Sequence, residues 1–327
     1  MKYPNFRKSG AVSLASLLLA ACGGGSDIDP SGTGRLSVSI TDAPLHEAQS
    51  VTVNFFGAEV KPADGARLQF FFCEDPDNPG IDPPVVQDSE CDTSDPEVVS
   101  IDLLQQTGGA SAPLLDGVVV PAGRVNWIRL KLDDNPGEIV LSNGAHPLTI
   151  PSGSQTGLKL VRGFDVPEDG EVRVVIDFDA RKSIVEVHGP MVSYKLKPAL
   201  RLVTQFGAVE GEVDAALLDP TCLGPSIYVF SGAGAAPDDI DGDAGDPLTS
   251  TPVVADPGSS TGFGYRAAFL EPGDYTLAFV CAGGVSPDGG MSFDEPADAP
   301  EQDDSLDFTL AAQTATVVAG QTDRVDF

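Results

Sequence analysis

Five aspartates within nine residues make Asp238–Asp246 the densest group of potential metal ligands in the sequence. Calcium binds about six to eight oxygen ligands, and alternate aspartates can bring their carboxylates onto one ion. The segment departs from the EF-hand pattern, because counting from Asp239 places a glycine at position seven and Ser250 at position twelve. A solvated acidic loop also explains this composition, so the sequence leaves both a bound calcium and a plain loop open. The candidate calcium ligands are Asp239, Asp241, Asp243 and Asp246.

Basic and aromatic side chains alternate with apolar ones in the segment Val125–Leu132. In a β-strand, alternate residues point to opposite faces of the sheet, so the apolar set would face the core and the basic set would face solvent. Such a face could bind an anionic glycan or an acidic protein by stacking and bidentate pairing. The same pattern is also typical of ordinary solvent-facing residues in an antiparallel sheet. The candidate residues, including three lysines in similar segments further along, are Trp127, Arg129, Lys131, Lys159, Lys195 and Lys197.

The sequence contains five cysteines, and four of them lie beyond the N-terminal segment. Four cysteines allow three pairings. We predict Cys73–Cys91 and Cys222–Cys281, because this choice keeps each bridge within one predicted domain. The residues between Cys73 and Cys91 are rich in proline and aspartate, and a bridge would stabilise this insertion by about 3 kcal/mol. A loop that contacts a partner is the alternative interpretation of the insertion.

No catalytic signature stands out in the sequence. The three histidines lie in or beside predicted loops, and neither a Gly-x-Ser-x-Gly elbow nor a His-Glu-x-x-His motif occurs. The formal net charge of −30 would repel phosphate backbones, which argues against nucleic-acid binding. The sequence therefore predicts a non-enzymatic protein with no catalytic residues and no cofactor except the possible calcium.

The N-terminal residues carry an export pattern. Three basic residues precede the apolar run Ala11–Ala21, which is too short to span a bilayer, since spanning needs about 20 apolar residues. The order Leu19-Ala20-Ala21-Cys22 resembles the lipobox of bacterial lipoproteins. That resemblance implies that residues 1–21 are a lipoprotein signal peptide and that Cys22 carries the lipid that anchors the chain to a membrane.

A tether is predicted between Cys22 and the first strand. Residues 22–34 are rich in glycine, serine and aspartate, as is typical of flexible spacers. Under the sorting rule that accompanies the lipobox resemblance, an aspartate after the cysteine retains a lipoprotein at the inner membrane. Gly23 stands there instead, so the predicted location is the cell envelope, at the outer membrane.

Short strands separated by Gly- and Pro-rich turns predict an all-β protein. From Arg35 onward, apolar and polar residues alternate with a period of two, and no segment sustains a helical period. The composition shifts near Gln205–Gly207: the rest of the chain holds two basic residues and 22 acidic ones. We therefore predict two antiparallel β-sandwiches, Ig-like or prealbumin-like, over residues 35–205 and 206–327.

Four stretches together resemble the domain-of-unknown-function 4382 family, a bacterial lipoprotein module. The resemblance covers about Gly34 to Leu202, and it implies a β-sandwich and an exported lipoprotein without bringing an established activity. Residues 206–327 are similar to prealbumin-like or carboxypeptidase-regulatory-like β-modules through Pro272–Leu277 and Val318–Thr322. The four stretches are Ser37–Pro44, Asn126–Leu130, Ser152–Leu160 and Asp177–Ser183.

These patterns predict an envelope-anchored lipoprotein that acts as a binding or structural module. The predicted partners are the membrane, through the lipid anchor, and an anionic glycan or acidic protein. Two alternatives remain open: an envelope hydrolase with a site between the domains, and an adhesion-type spacer stabilised by calcium.

Overall fold

The first half of the chain forms two sheets that pack on a shared core. In the computed structural model, the described residues are 32–42, 45, 48–73, 96–150, 157–187, 193–197, 199–218, 220, 222, 224–238, 245–281, 308 and 310–327. The first sheet has four strands. Their spatial order is β13 (Leu200–Val203), β10 (Glu171–Phe178), β1 (Thr33–Asp42) and β5 (Ala112–Pro121).

The second sheet is built around the long strand β6 (Gly123–Leu141). It has nine strands, and alternate residues of both sheets meet in one buried apolar cluster. The main order is β11 (Ile184–Val187), β12 (Ser193–Leu196), β7 (Gly144–Thr149), β6, β2 (Ser50–Pro62) and β3 (Leu68–Phe71). Beside this path, β4 (Val99–Asp102) pairs with β2, while β8 (Leu158–Leu160) and β9 (Phe164–Val166) pair with β6.

The second half of the chain forms two four-stranded sheets around its own core. One sheet has the order β17 (Val254–Ala255), β18 (Phe263–Leu270), β14 (Gly207–Glu212) and β21 (Thr322–Arg324). The other has the order β16 (Thr249–Pro252), β15 (Ser226–Ser231), β19 (Gly273–Val280) and β20 (Gln313–Val317). The predicted all-β, sandwich class is confirmed.

The sheets are mixed, which the sequence pattern did not predict. Three strand pairs run parallel: β1 with β10, β7 with β12, and β14 with β21. Parallel neighbours require a long connection, and β1 and β10 are joined by strands that mostly belong to the opposite sheet. The segment Val125–Leu132, with its alternating apolar and basic residues, lies within the longer strand β6, which continues to Leu141.

No described strand pair joins the segments before and after Gln205, and the two large cores divide at the same place. The described part of the chain from Gly32 to Phe327 nevertheless forms one compact unit. The Lys182 ammonium lies 3.2 Å from the Asp246 carboxylate, and the Arg162 guanidinium lies 2.5 Å from that of Glu271. The exact domain boundary stays a prediction.

The cysteine pairing is confirmed in the second half. Cys222 and Cys281 form a disulfide with their Cα atoms 4.8 Å apart. Cys73 is also disulfide-bonded, while its predicted partner Cys91 lies outside the described residues, as does Cys22. No helix within the described ranges is long and apolar enough to cross a bilayer.

Candidate functional site

Strand register brings the predicted basic residues together on the outer face of the nine-stranded sheet. Arg129 on β6 lies opposite Glu59 on β2 and opposite Lys159 on β8. Glu59 in turn lies opposite Gln69 on β3. Four neighbouring strands therefore present one row of polar side chains, while Ile128 and its apolar neighbours point into the core as predicted.

A buried carboxylate collects three of the cations. The Glu59 side chain is 5% exposed, and its oxygens lie 3.0 Å from Arg129 Nη1, 3.5 Å from Lys131 Nζ and 3.5 Å from Arg67 Nη1. Gln69 Nε2 donates a further hydrogen bond of 2.9 Å to Glu59. Burying a charge is costly unless it is paired, and this carboxylate is paired several times over. One negative charge thus holds three positive ones in place.

Aromatic rings contact Arg129, Lys131 and a fourth cation, Lys159. The Arg129 guanidinium lies 5.1 Å from the centroid of Trp127, and Lys159 Nζ lies 4.7 Å from it. Lys131 Nζ lies 4.9 Å from the centroid of Phe71, which stacks on Phe56. These distances are within the range of cation–π attraction. We call the following set the basic face: Arg67, Arg129, Lys131 and Lys159 with Trp127, Phe56 and Phe71.

Two glycines allow the strands of the basic face to approach one another. A Cβ atom on Gly57 would lie 2.2 Å from the carbonyl oxygen of Phe70 on the neighbouring strand. Gly157 has φ +61° and precedes β8, and a Cβ there would lie 2.2 Å from the carbonyl oxygen of Leu130. Only glycine fits both the positive φ and the close approach.

Lys195 and Lys197 lie apart from the basic face. Lys195 is on β12 opposite Val185 and Thr149, with β7 between its strand and β6. The backbone N–H of Lys197 donates to the Ser183 carbonyl. Among the described residues, no ion pair or cation–π contact links either lysine to the basic face. The structure thus assembles four of the six predicted residues and adds Arg67 and Glu59.

The structure describes one of the four predicted calcium ligands, Asp246. Asp239, Asp241 and Asp243 lie outside the described part of the chain. Asp246 Oδ2 lies 3.2 Å from Lys182 Nζ, which also donates to the Pro247 carbonyl at 2.8 Å. No group of three potential metal ligands occurs among the residues described here. The calcium site therefore stays a prediction.

Two of the stretches that carry the family resemblance meet in a buried polar junction. The backbone N–H of Ala180 donates to Asp42 Oδ1 at 2.8 Å. Asp179 caps the single helical turn α1 (Ala180–Ser183) by accepting from the N–H of Lys182. The Arg201 guanidinium lies 2.7 Å from Asp177, whose side chain is 6% exposed. These aspartates serve the fold, because each is buried against backbone donors or a cation.

Comparison with solved structures finds distant likenesses. The minor pilin GBS52 of Streptococcus agalactiae is 11% identical, with coverage of 89% of this chain and 94% of the pilin and a TM-score of 0.19. The major pilin BcpA of Bacillus cereus is 9% identical, with coverage of 90% and 98% and a TM-score of 0.19. The Bacillus anthracis TIE protein is 10% identical with a TM-score of 0.18; the match covers 90% of this chain and 34% of that protein.

No curated protein matches the sequence. Residues 33–198 match the family described as "Domain of unknown function (DUF4382)". This match covers the strands from β1 to β12, the whole basic face included, and more than half of the chain: the protein belongs to the DUF4382 family.

Proposed function

We propose that this protein is a non-enzymatic module, lipid-anchored in the cell envelope, that binds an anionic glycan through the basic face. The observation that carries the proposal is a local surplus of positive charge in a chain of net charge −30: three cations surround one buried carboxylate, and Lys159 adds a fourth beside Trp127. A face so different from the rest of the molecule favours anionic ligands. The order Leu19-Ala20-Ala21-Cys22 supports the anchor.

Preorganisation strengthens the case for binding. Glu59 holds Arg129 and Lys131 on one side of the sheet, so these side chains lose less conformational freedom when a ligand arrives. An arginine has five N–H donors, which leaves Arg129 able to pair with Glu59 and with a ligand carboxylate. The half-buried ring of Trp127 adds a stacking surface beside the cations. Rings and cations side by side favour an acidic sugar over an acidic peptide.

Binding is tested by titrating the full chain with alginate, a linear polyuronate, and with poly-glutamate as the acidic-peptide competitor. Lys159→Gln removes a cation that makes no contact with Glu59, so the fold is expected to stay intact. Loss of one charge-assisted contact weakens alginate binding by about tenfold. The matched control is Arg173→Gln on the other sheet, whose side chain is 74% exposed. Equal affinity of Lys159→Gln and the control would contradict the proposal, and tighter binding of poly-glutamate would replace the glycan with a protein partner.

Anchoring is tested separately. We expect Cys22→Ser to abolish palmitate labelling and to release the protein from the membrane fraction, because the thiol is the site of diacylation. A second cysteine variant, Cys222→Ser, serves as control and should remain labelled. A Cys22→Ser protein that stays labelled and membrane-bound would refute the anchor.

A further inference from the structure

A second polar surface lies on the sheet formed by β17, β18, β14 and β21. Glu210 on β14 lies opposite Arg266 on β18 and opposite Arg324 on β21. The Arg266 guanidinium pairs with Glu210, and the Arg324 guanidinium lies 3.0 Å from Glu212 Oε1. Both arginines of residues 206–327 therefore stand on one face, each beside a carboxylate.

This surface is the floor of a cleft of about 590 Å³. In the row next to the arginines, Gly264 lies between Glu212 and Val254, so no side chain fills the centre of the cleft. One wall is the turn around Asp256, and the other is the Thr107–Gly108 loop from the first half of the chain. The volume is within the usual range of small-molecule sites, about 300 to 1,000 Å³.

The lining of the cleft combines donors and acceptors with little net charge. Two guanidiniums donate hydrogen bonds, while the carboxylates of Glu210, Glu212 and Asp256 accept them. The three carboxylates exceed the two guanidiniums by one charge, which disfavours an anionic ligand. Glu210 and Glu212 are already paired with arginines, which leaves little attraction for a cationic ligand. Neutral hydroxyl groups both donate and accept, so they match this lining, and the 53% exposed Val254 can pack against ring C–H groups.

We propose that this cleft binds a neutral saccharide. The site is separate from the basic face and does not depend on the function proposed for that face. An ideal Cβ on Gly264 would lie 3.3 Å from Asp256 Oδ2 and 3.3 Å from the Gly211 carbonyl oxygen, so even a small side chain would enter the space between them. Hydrogen bonds from Ser260 and Arg324 lower the pKa of Glu212 to about 2, so this acceptor stays ionised in mildly acidic solution as well as at neutral pH.

The test uses the full chain and saturation-transfer NMR with maltotriose, cellotriose, mannotriose and chitotriose as probes. We expect at least one of these neutral sugars to bind. Gly264→Val fills the centre of the cleft, and Gly273→Val is its control, because a Cβ on Gly273 would meet only Tyr275 Cε2, at 3.9 Å. Arg266→Gln removes one donor without filling the cleft, and it serves if Gly264→Val fails to fold. Arg266→Gln should weaken binding by about tenfold, the value of one charge-assisted hydrogen bond. Gly264→Val should weaken binding at least as much, because its side chain occupies the space of the ligand.

Three outcomes would overturn the proposal. The first is the absence of binding by all four neutral sugars. The second is binding that Gly264→Val and Arg266→Gln leave unchanged while Lys159→Gln on the basic face abolishes it. A uronic acid trimer that binds the cleft more tightly than the neutral sugars would also contradict the argument from charge balance.

Discussion

The basic face and the cleft are both built on the solvent side of a sheet, yet their charges are arranged differently. On the basic face, three cations share the single carboxylate of Glu59, and Lys159 adds a fourth positive charge. In the cleft, Arg266 pairs with Glu210, and Arg324 pairs with Glu212 and Asp326, so neither cation lacks a carboxylate. We therefore expect the ligand of each surface to follow its local charge balance, which the net charge of −30 does not describe.

The two surfaces also differ in depth. The basic face is four strands wide, with aromatic rings between the cations, which suits a long chain-like ligand that lies across the strands. The cleft has walls on two sides and a glycine at its centre, which suits a short ligand. Register explains both arrangements, because partners opposite each other in neighbouring strands have adjacent side chains.

The largest expected effect is on stability, through Glu59→Gln. This change leaves Arg129, Lys131 and Arg67 close together without their shared counter-charge. Removing one partner of a buried ion pair costs about 3 to 5 kcal/mol, and partial exposure of the cations brings the expected loss to about 2 to 3 kcal/mol in urea unfolding. The control is Glu171→Gln, because Glu171 forms an ion pair with a single exposed arginine. This change should lower the free energy of unfolding by less than about 1 kcal/mol. Equal losses would mean that Glu59 does not hold the basic face together.

The next largest expected effect is a difference in the salt dependence of ligand binding between the two surfaces. Raising sodium chloride from about 0.05 M to 0.5 M shortens the Debye length from more than 10 Å to less than 5 Å and screens exposed charges. Alginate binding by the basic face should therefore weaken by about tenfold or more, whereas binding of a neutral trisaccharide by the cleft should change less than about twofold. Isothermal titration at both salt concentrations measures this. A parallel loss of both affinities would remove the distinction between the surfaces.

The smallest expected effect is a pH dependence at the cleft. Because the folded pKa of Glu212 is about 2, below its ordinary 4.5, its ionised form stabilises the fold fully above about pH 5. That contribution is lost as the pH falls through 2. Glu212→Gln should therefore have a lower melting temperature than wild type near pH 6, and this difference should disappear towards pH 2. Ser260→Ala should show a smaller difference with the same pH dependence. Circular dichroism measures the melting temperature at low protein concentration, which limits association of the protein near its isoelectric point of about 4.1. A deficit that stays constant with pH would show that the Ser260 and Arg324 contacts do not hold the carboxylate ionised.

Sequence alternation was enough to predict which β6 residues face outward, because Trp127, Arg129 and Lys131 follow a regular period of two. It was not enough to find Glu59. A β-bulge between Phe55 and Gly57 shifts the alternation of β2, and four consecutive residues after it are buried, so the glutamate looks like part of an apolar run.

The sequence did not predict the cleft, and the reason differs from that for Glu59. Arg266 and Arg324 are 58 positions apart in sequence, and they become neighbours only because β21 pairs in parallel with β14. A period-two pattern indicates faces but does not specify which strands are adjacent. The short strand β17 and its Val254 lack any alternation long enough to detect.

A crossed titration tests the central claim most directly: that the basic face binds an anionic glycan and the cleft a neutral one. Wild type, Lys159→Glu and Arg266→Gln are each titrated with alginate and with the neutral trisaccharide that binds best. We expect Lys159→Glu to lose alginate binding by more than about tenfold while its trisaccharide affinity is unchanged, and Arg266→Gln to show the reverse. Full alginate affinity in Lys159→Glu would contradict the account.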